Sequence, residues 1–111
     1  MSTREPVNVT LLYTRGASYE FNFTYTRDTS VNQNFVGSEF LLLVEFMDGV
    51  EEVPLTVVPN GTHEVTLSHL FPPKETRRLW RTWSSYEVLE VKPEYTHKWQ
   101  QGRFDHISLD D

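Results

Sequence analysis

The side chains able to do chemistry are few, and they cluster. Four of the ten basic residues, Lys74, Arg77, Arg78 and Arg81, fall within "SHLFPPKETRRLWRTW", residues 68–83, together with Trp80 and Trp83, two of the three tryptophans. Acidic residues gather upstream at Glu39, Glu45, Asp48, Glu51 and Glu52. Cations beside indoles can neutralise phosphates while the rings stack on bases. Alternatively Trp80, Trp83 and Trp99 can act as stacking platforms for sugars. The first use meets a chain of formal charge −6, with 16 acidic and 10 basic residues, which repels nucleic acid as a whole. The second meets the tendency of aromatic rings at helix-core spacing to supply buried area. The segment is therefore expected to cross between two sheets, burying Leu79 and Trp80 and exposing its arginines. The opposite charge of the two stretches suggests docking. Lys74, Arg77, Arg78 and Arg81 on one side would meet Glu45, Asp48, Glu51 and Glu52 on a neighbouring copy or another protein.

Other chemistry finds little support. No cysteine is present, which removes disulfides, thiol catalysis and cysteine-based zinc sites. No phosphate-cradling glycine loop, nucleophile elbow or HExxH helix occurs. His63 and His69 share a strand face but stand about 20 Å apart along it. With His97 and His106, they read as solvent-facing or hydrogen-bonded. Glu51 and Glu52 are adjacent on a strand and point to opposite faces, which does not suit a paired-carboxylate hydrolase. The turn at Asp48 lacks the spacing of a calcium loop. Asn8, Asn22 and Asn60 stand in N-x-Thr form, a pattern that threonine-rich strands also generate by chance. The expectation is a protein without catalytic residues, metal or cofactor.

Most of the chain alternates with period two. "SYEFNFTYT" (18–26) sets Tyr19, Phe21, Phe23 and Tyr25 against Glu20, Asn22, Thr24 and Thr26, the pattern of a half-buried strand. Similar runs occupy 7–14, 51–58, 63–70, 84–93 and 96–109. "EFLLLVEF" (39–46) is apolar on both faces and reads as a central strand covered on both sides. Turns are expected at Gly16, at Asp48-Gly49, at "PNG" (59–61) and at Pro93-Glu94. Residues 27–34 read as a polar loop. Pro54 places its strand at an edge, and Gly102 marks a bulge. After Pro72-Pro73 a helix of two turns at best is expected, with Pro73 at its first position. Seven strands with turn signals every 8–12 residues or so suggest a β-sandwich or barrel. At 111 residues the chain fits one domain over 1–111, with 1–6 as an N-terminal arm and 108–111 as an acidic tail. No window approaches the roughly 18 apolar residues needed to span a bilayer. "MSTREPVNVT" lacks an apolar stretch of signal-peptide type.

The order of parts resembles a small β-sandwich domain of tailed-phage virion proteins, notably minor tail and baseplate-associated proteins. "RGASYEFNF" is similar to that family's early turn and aromatic strand, and "FVGSEFLLLVEF" to its step into a central strand. "HEVTLSHLFPPKETRRL" resembles its strand followed by a short helix. "YEVLEVKPEYTHKWQQGRF" resembles its closing hairpin, although Trp99, Gln100 and Gln101 replace the usual aliphatic approach to the last glycine. The helix is also more basic and richer in tryptophan than the family's. The resemblance covers most of residues 15–107. With the strand pattern, it implies an all-β, immunoglobulin-like β-sandwich of about seven antiparallel strands with one short crossover helix. It further implies a structural virion protein made in the host cytoplasm. Such a protein docks onto other virion proteins in multiple copies, with no nucleic-acid partner and no membrane insertion. Alternatives are a capsid-surface decoration or head–tail joint protein, or a carbohydrate-binding module using Trp80, Trp83 and Trp99. A phage-encoded hydrolase or nucleic-acid-binding accessory is a weaker alternative.

Overall fold

A computed structural model of the chain describes residues 6–27 and 34–107. The expected arms (most of 1–6, and 108–111) and most of the polar loop lie outside the described residues. Eight strands form: β1 (Val7–Tyr13), β2 (Tyr19–Thr26), β3 (Glu39–Phe46), β4 (Gly49–Val53), β5 (Thr56–Pro59), β6 (Glu64–Phe71), β7 (Trp83–Lys92) and β8 (Tyr95–His106). A single helical turn, α1 (Pro73–Thr76), lies between β6 and β7. The strands make a five-stranded sheet in the order β1-β8-β7-β3-β4 and a three-stranded sheet in the order β2-β6-β5. The two sheets close on each other as a sandwich. Leu42, Val44, Tyr86, Val88 and Phe104 from one meet Phe21, Val65, Leu67 and Phe71 from the other, all buried. These are alternate positions along each strand, so one face of each sheet leaves water.

Four features refine or depart from the sequence expectation. The strand expected over 51–58 is two strands: β4 pairs with β3 in the larger sheet, and β5 with β6 in the smaller. Pro54 has no amide to donate, so the ladder breaks there and the chain changes sheets. Both pieces do end at sheet edges. Second, β1 runs parallel to β8, from Val7 opposite Gln100 to Tyr13 opposite His106. The turn at Gly16 (φ +84°) therefore carries the chain from one sheet to the other and does not close a hairpin. Third, the helix has a single turn, within the limit of two expected, and Pro73 starts it at the first position, as expected. One turn fixes several dihedrals for few hydrogen bonds, so tertiary contacts must hold it. Fourth, β3 is covered on one side only. Leu41 and Leu43 on its outer face are half-buried and stand apart from the core cluster.

The bulge in β8 falls at Trp99, not at Gly102. Val88 pairs with Gln100 and Leu89 with Lys98, which leaves Trp99 as the extra residue. A regular strand would send Trp99 and Gln100 to opposite faces. The bulge buries both. Gly102 serves a different need. It lies between β1 and β7, and a Cβ there would stand 2.1 Å from the carbonyl oxygen of Val9. Gly102→Ala is expected to lower stability by about 2–3 kcal/mol through this overlap, as read by urea denaturation. A loss below about 1 kcal/mol would show that β1 moves aside at little cost.

Candidate functional site

The basic stretch is held in place by its own fold. Thr76, fully buried, accepts a hydrogen bond from the Gly16 amide at 3.1 Å, and its hydroxyl lies 3.0 Å from the carbonyls of Ala17 and Pro73. Arg15 donates to the Leu79 carbonyl at 2.7 Å. Leu79 is buried, as expected. These contacts stitch the β1–β2 turn onto the crossing.

The acidic hairpin and the basic stretch meet within one molecule. Arg78 donates to Asp48 at 2.9 Å and to both carboxylate oxygens of Glu51, and its guanidinium lies 4.2 Å over the Phe46 ring. The Met47 amide bonds the Arg78 carbonyl at 2.8 Å. These hydrogen bonds hold the Asp48 carboxyl below the usual carboxylate range and push the Arg78 guanidinium further up. For Arg78, Asp48 and Glu51, the complementarity expected between copies is satisfied in cis. Glu45 accepts from the Ser85 hydroxyl at 3.0 Å on the outer face of the larger sheet. Lys74, Arg77, Arg81 and Glu52 remain exposed.

The tryptophans reverse the expectation. Trp80 and Trp83 are 42% and 46% exposed, whereas Trp99 is 3% exposed. With only one helical turn, helix-core spacing does not extend to positions 80 and 83. Instead the Trp80 amide takes the Ser84 hydroxyl at 2.8 Å, and the chain enters β7. Trp83 lies beside Arg103, whose guanidinium stands 5.7 Å from its ring. Trp99 is removed from any surface role.

Sequence reasoning missed the most connected group, Glu90. It is fully buried on the inner face of β7. Arg27 donates to its two oxygens at 2.9 and 2.7 Å, the Trp99 indole donates at 3.0 Å, and the Ser38 hydroxyl completes the set. Arg27 also bonds the Asn34 carbonyl and the Tyr95 hydroxyl, and it lies between the rings of Phe35 and Trp99. Burial pushes the Glu90 carboxyl up, but the donors and the charge of Arg27 outweigh burial and hold it below its ordinary value. Deeper in, Tyr25 donates to Gln100 at 2.6 Å, Gln100 to the Tyr86 hydroxyl at 2.8 Å, and Tyr86 to the Val9 carbonyl at 2.8 Å. Burial pushes the Tyr86 hydroxyl up to about 12. The signal for Glu90 was present in the sequence. It shares parity with Tyr86 and Val88, so a strand reading places a carboxylate on the apolar face.

The histidines lie apart or in local contacts. His69 faces Glu75 at 3.1 Å and the edge of Phe71, and His63 faces Thr62 Oγ1 at 2.8 Å. Among the described residues, no three His, Asp or Glu side chains gather as a metal site. An apolar groove of about 360 Å³ opens between residues 35–40 and the β5–β6 end, lined by Phe35, Val36, Phe40, Val57 and Val65. Ser38 is the one side-chain polar group in its lining, and its hydroxyl is engaged by Glu90. Compared with known proteins, the chain matches no family profile and no curated protein.

Two predictions follow from this geometry. Glu90→Gln leaves the Arg27 charge buried without its counter-ion and is expected to lower stability by about 3–5 kcal/mol. Because the folded carboxyl lies below its unfolded value, the wild type keeps this stabilisation above the ordinary glutamate range and loses it as pH falls through the folded value. Thermal melts across acid pH should show that dependence in the wild type and a weaker one in the variant. Equal slopes would contradict the assignment. Separately, iodide should quench two tryptophans and spare the third, and Trp99→Phe should remove the protected fraction. A uniformly quenched wild type would contradict the burial of Trp99.

Proposed function

We propose that this chain is a small structural protein of a tailed-phage virion, minor tail or baseplate-associated, that works by docking onto neighbouring proteins. The observation that carries the reading is where the polar side chains go. Those on the inner faces are consumed by the fold in the Glu90 and Gln100 networks, and among the described residues no three His, Asp or Glu side chains gather as a metal site. A filled sandwich with chemistry only on its skin suits gripping rather than turnover. The strand order supports an immunoglobulin-like connectivity: β2-β6-β5 faces β8-β7-β3-β4, with β1 added beside β8. The phage assignment rests on the resemblance of the turn, helix and closing-hairpin segments over residues 15–107.

Lys74, Arg77 and Arg81 are the basic side chains offered to a partner, because Arg78 is engaged within the chain. Reversing Arg77 and Arg81 to Glu is expected to reduce incorporation into particles, most clearly at low salt. Arg78→Glu should instead lower the stability of the isolated chain. Mass spectrometry of purified particles reads the first outcome, and absence of the wild-type chain from them would end this reading.

A second reading is favoured by one observation, the exposure of Trp80 and Trp83. As a sugar-binding module the chain would use these two rings and not Trp99. Adding host-surface oligosaccharide should then shift the emission of a Trp99→Phe variant.

A further inference from the structure

A sheet ends in a row of backbone donors and acceptors, and soluble proteins blunt such edges against stray pairing. Among the described residues the sandwich has four of them: β1 and β4 on the larger sheet, β2 and β5 on the smaller. Three are blunted. β2 carries Glu20, β4 carries Glu51 and Glu52, and β5 has four residues and ends on Pro59, which has no amide to donate. β1, "VNVTLLY", has no charge, no proline and no bulge over its seven residues. Its ladder shows which groups are left over. The Ile107 amide bonds the Tyr13 carbonyl at 2.8 Å, and the Val9 carbonyl is aimed at Gly102, where a Cβ would meet it at 2.1 Å. Backbone groups alternate sides along a strand, so Val9, Leu11 and Tyr13 bond β8. Asn8, Thr10 and Leu12 therefore turn their N–H and C=O groups outward, where no strand lies beside them among the described residues. All three residues are exposed.

We propose that the free edge of β1 takes an extended segment of a different protein as an added strand of the larger sheet. The inference names a surface and a partner class for the docking function proposed above, and so rests on that reading. The row itself asks for a peptide backbone. Donors and acceptors stand in equal number at every second residue, about 7 Å apart, as they do along another strand. A phosphate backbone would answer only the donors. Strand addition draws affinity from these main-chain bonds and specificity from alternate side chains. Val7, 53% exposed, shares the face of buried Leu11 and Tyr13, and Leu12, 58% exposed, lies on the opposite face. The segment is therefore uncharged beside Val7 to Leu12 and apolar next to those two side chains. Charge sets its far end. Beyond Tyr13 the edge runs into the basic crossing: the Tyr13 hydroxyl bonds the Trp80 carbonyl, Arg15 bonds that of Leu79, and the Arg77 guanidinium lies 3.4 Å from where a Cβ of Gly16 would stand. Acidic residues at that end of the segment would meet Arg77 and Arg81, both exposed. A second copy suits the place less well, because it brings the same formal charge of −6.

Proline placed by parity tests this. Thr10→Pro removes an outward amide and no bond to β8, so the purified chain should keep its melting temperature. Leu11→Pro removes a ladder bond and should lower it. In particles, read by mass spectrometry, Thr10→Pro should fall at least about tenfold below wild type, the worth of about one net hydrogen bond. That loss should persist at high salt, where the loss from reversing Arg77 and Arg81 fades. In the isolated full-length chain, the Asn8, Thr10 and Leu12 amides should exchange with deuterium faster than those of Val9, Leu11 and Tyr13. Equal exchange at the two sets overturns the free row. A folded Thr10→Pro chain that enters particles as wild type does overturns the site. If Thr10→Pro misfolds, Leu12→Lys decides by the same readout, because it adds a charge at this edge and leaves the backbone intact. A wild-type dimer in sedimentation velocity that Thr10→Pro abolishes would make a second copy the occupant and overturn the foreign strand. Wild type absent from particles ends the virion reading and this site with it. Wild type present, with Thr10→Pro undiminished, ends this site alone.

Discussion

A carboxylate with no exposed surface is expensive unless every lone pair is met, and Glu90 is such a group on the middle strand of the larger sheet. Its donors come from three places in the chain: Arg27 beyond β2, Ser38 ahead of β3 and Trp99 in β8, with Arg27 itself held by Asn34 and Tyr95. Meeting the carboxylate therefore fixes how one end of the sandwich is assembled. The bulge in β8 follows from it, because an unbroken strand would not turn the Trp99 indole and the Gln100 amide inward together. The indole then closes the end by packing against Tyr25 and Phe35. With Gln100 inward, the chain of hydrogen bonds from Tyr25 through Tyr86 to Val9 links the smaller sheet to β1, at the far edge of the larger one. Glu90 thus reaches Arg27 across 63 residues, and the neighbouring chain of hydrogen bonds joins Tyr86 to Val9 across 77.

Period-two alternation made most strands readable, because burial of one face needs nothing beyond local order. The hairpin turns at Asp48-Gly49, at residues 59–61 and at Pro93-Glu94 were readable for the same reason. Features decided by non-local geometry were not. Pro54 signals a strand that loses a donor, yet whether the chain then stays at an edge or changes sheets depends on what lies beneath Leu55, which packs on the core. The direction of β1 beside β8 leaves no mark on either strand, except that Gly102 offers the bare backbone that Val9 approaches. A helical spacing of Thr76, Leu79 and Trp83 is meaningful only if the helix lasts, and it ends at Thr76. Glu90 was legible from its parity alone, while its partner Arg27, 63 residues away, was not.

Charge complementarity shows the same division. Composition and position revealed that residues 45–52 and 74–81 attract each other, which is a statement about sign. Whether they meet in one molecule or between two depends on the distance the fold sets. The fold puts Arg78 over Phe46 and against Asp48 and Glu51, and this pins the crossing to the β3–β4 hairpin. Any binding that uses the remaining cations therefore presents them from a fixed platform, with little ordering cost.

The apolar run of β3 is longer than its inner face alone requires. Leu42, Val44 and Phe46 fill the inner side, so Leu41 and Leu43 gain nothing from the smaller sheet. β-Branched or leucine side chains on a central strand are favoured when both faces leave water. On that outer side Leu41 pairs with Leu89 across the β3–β7 ladder, and both are half-buried by their neighbours within the sheet.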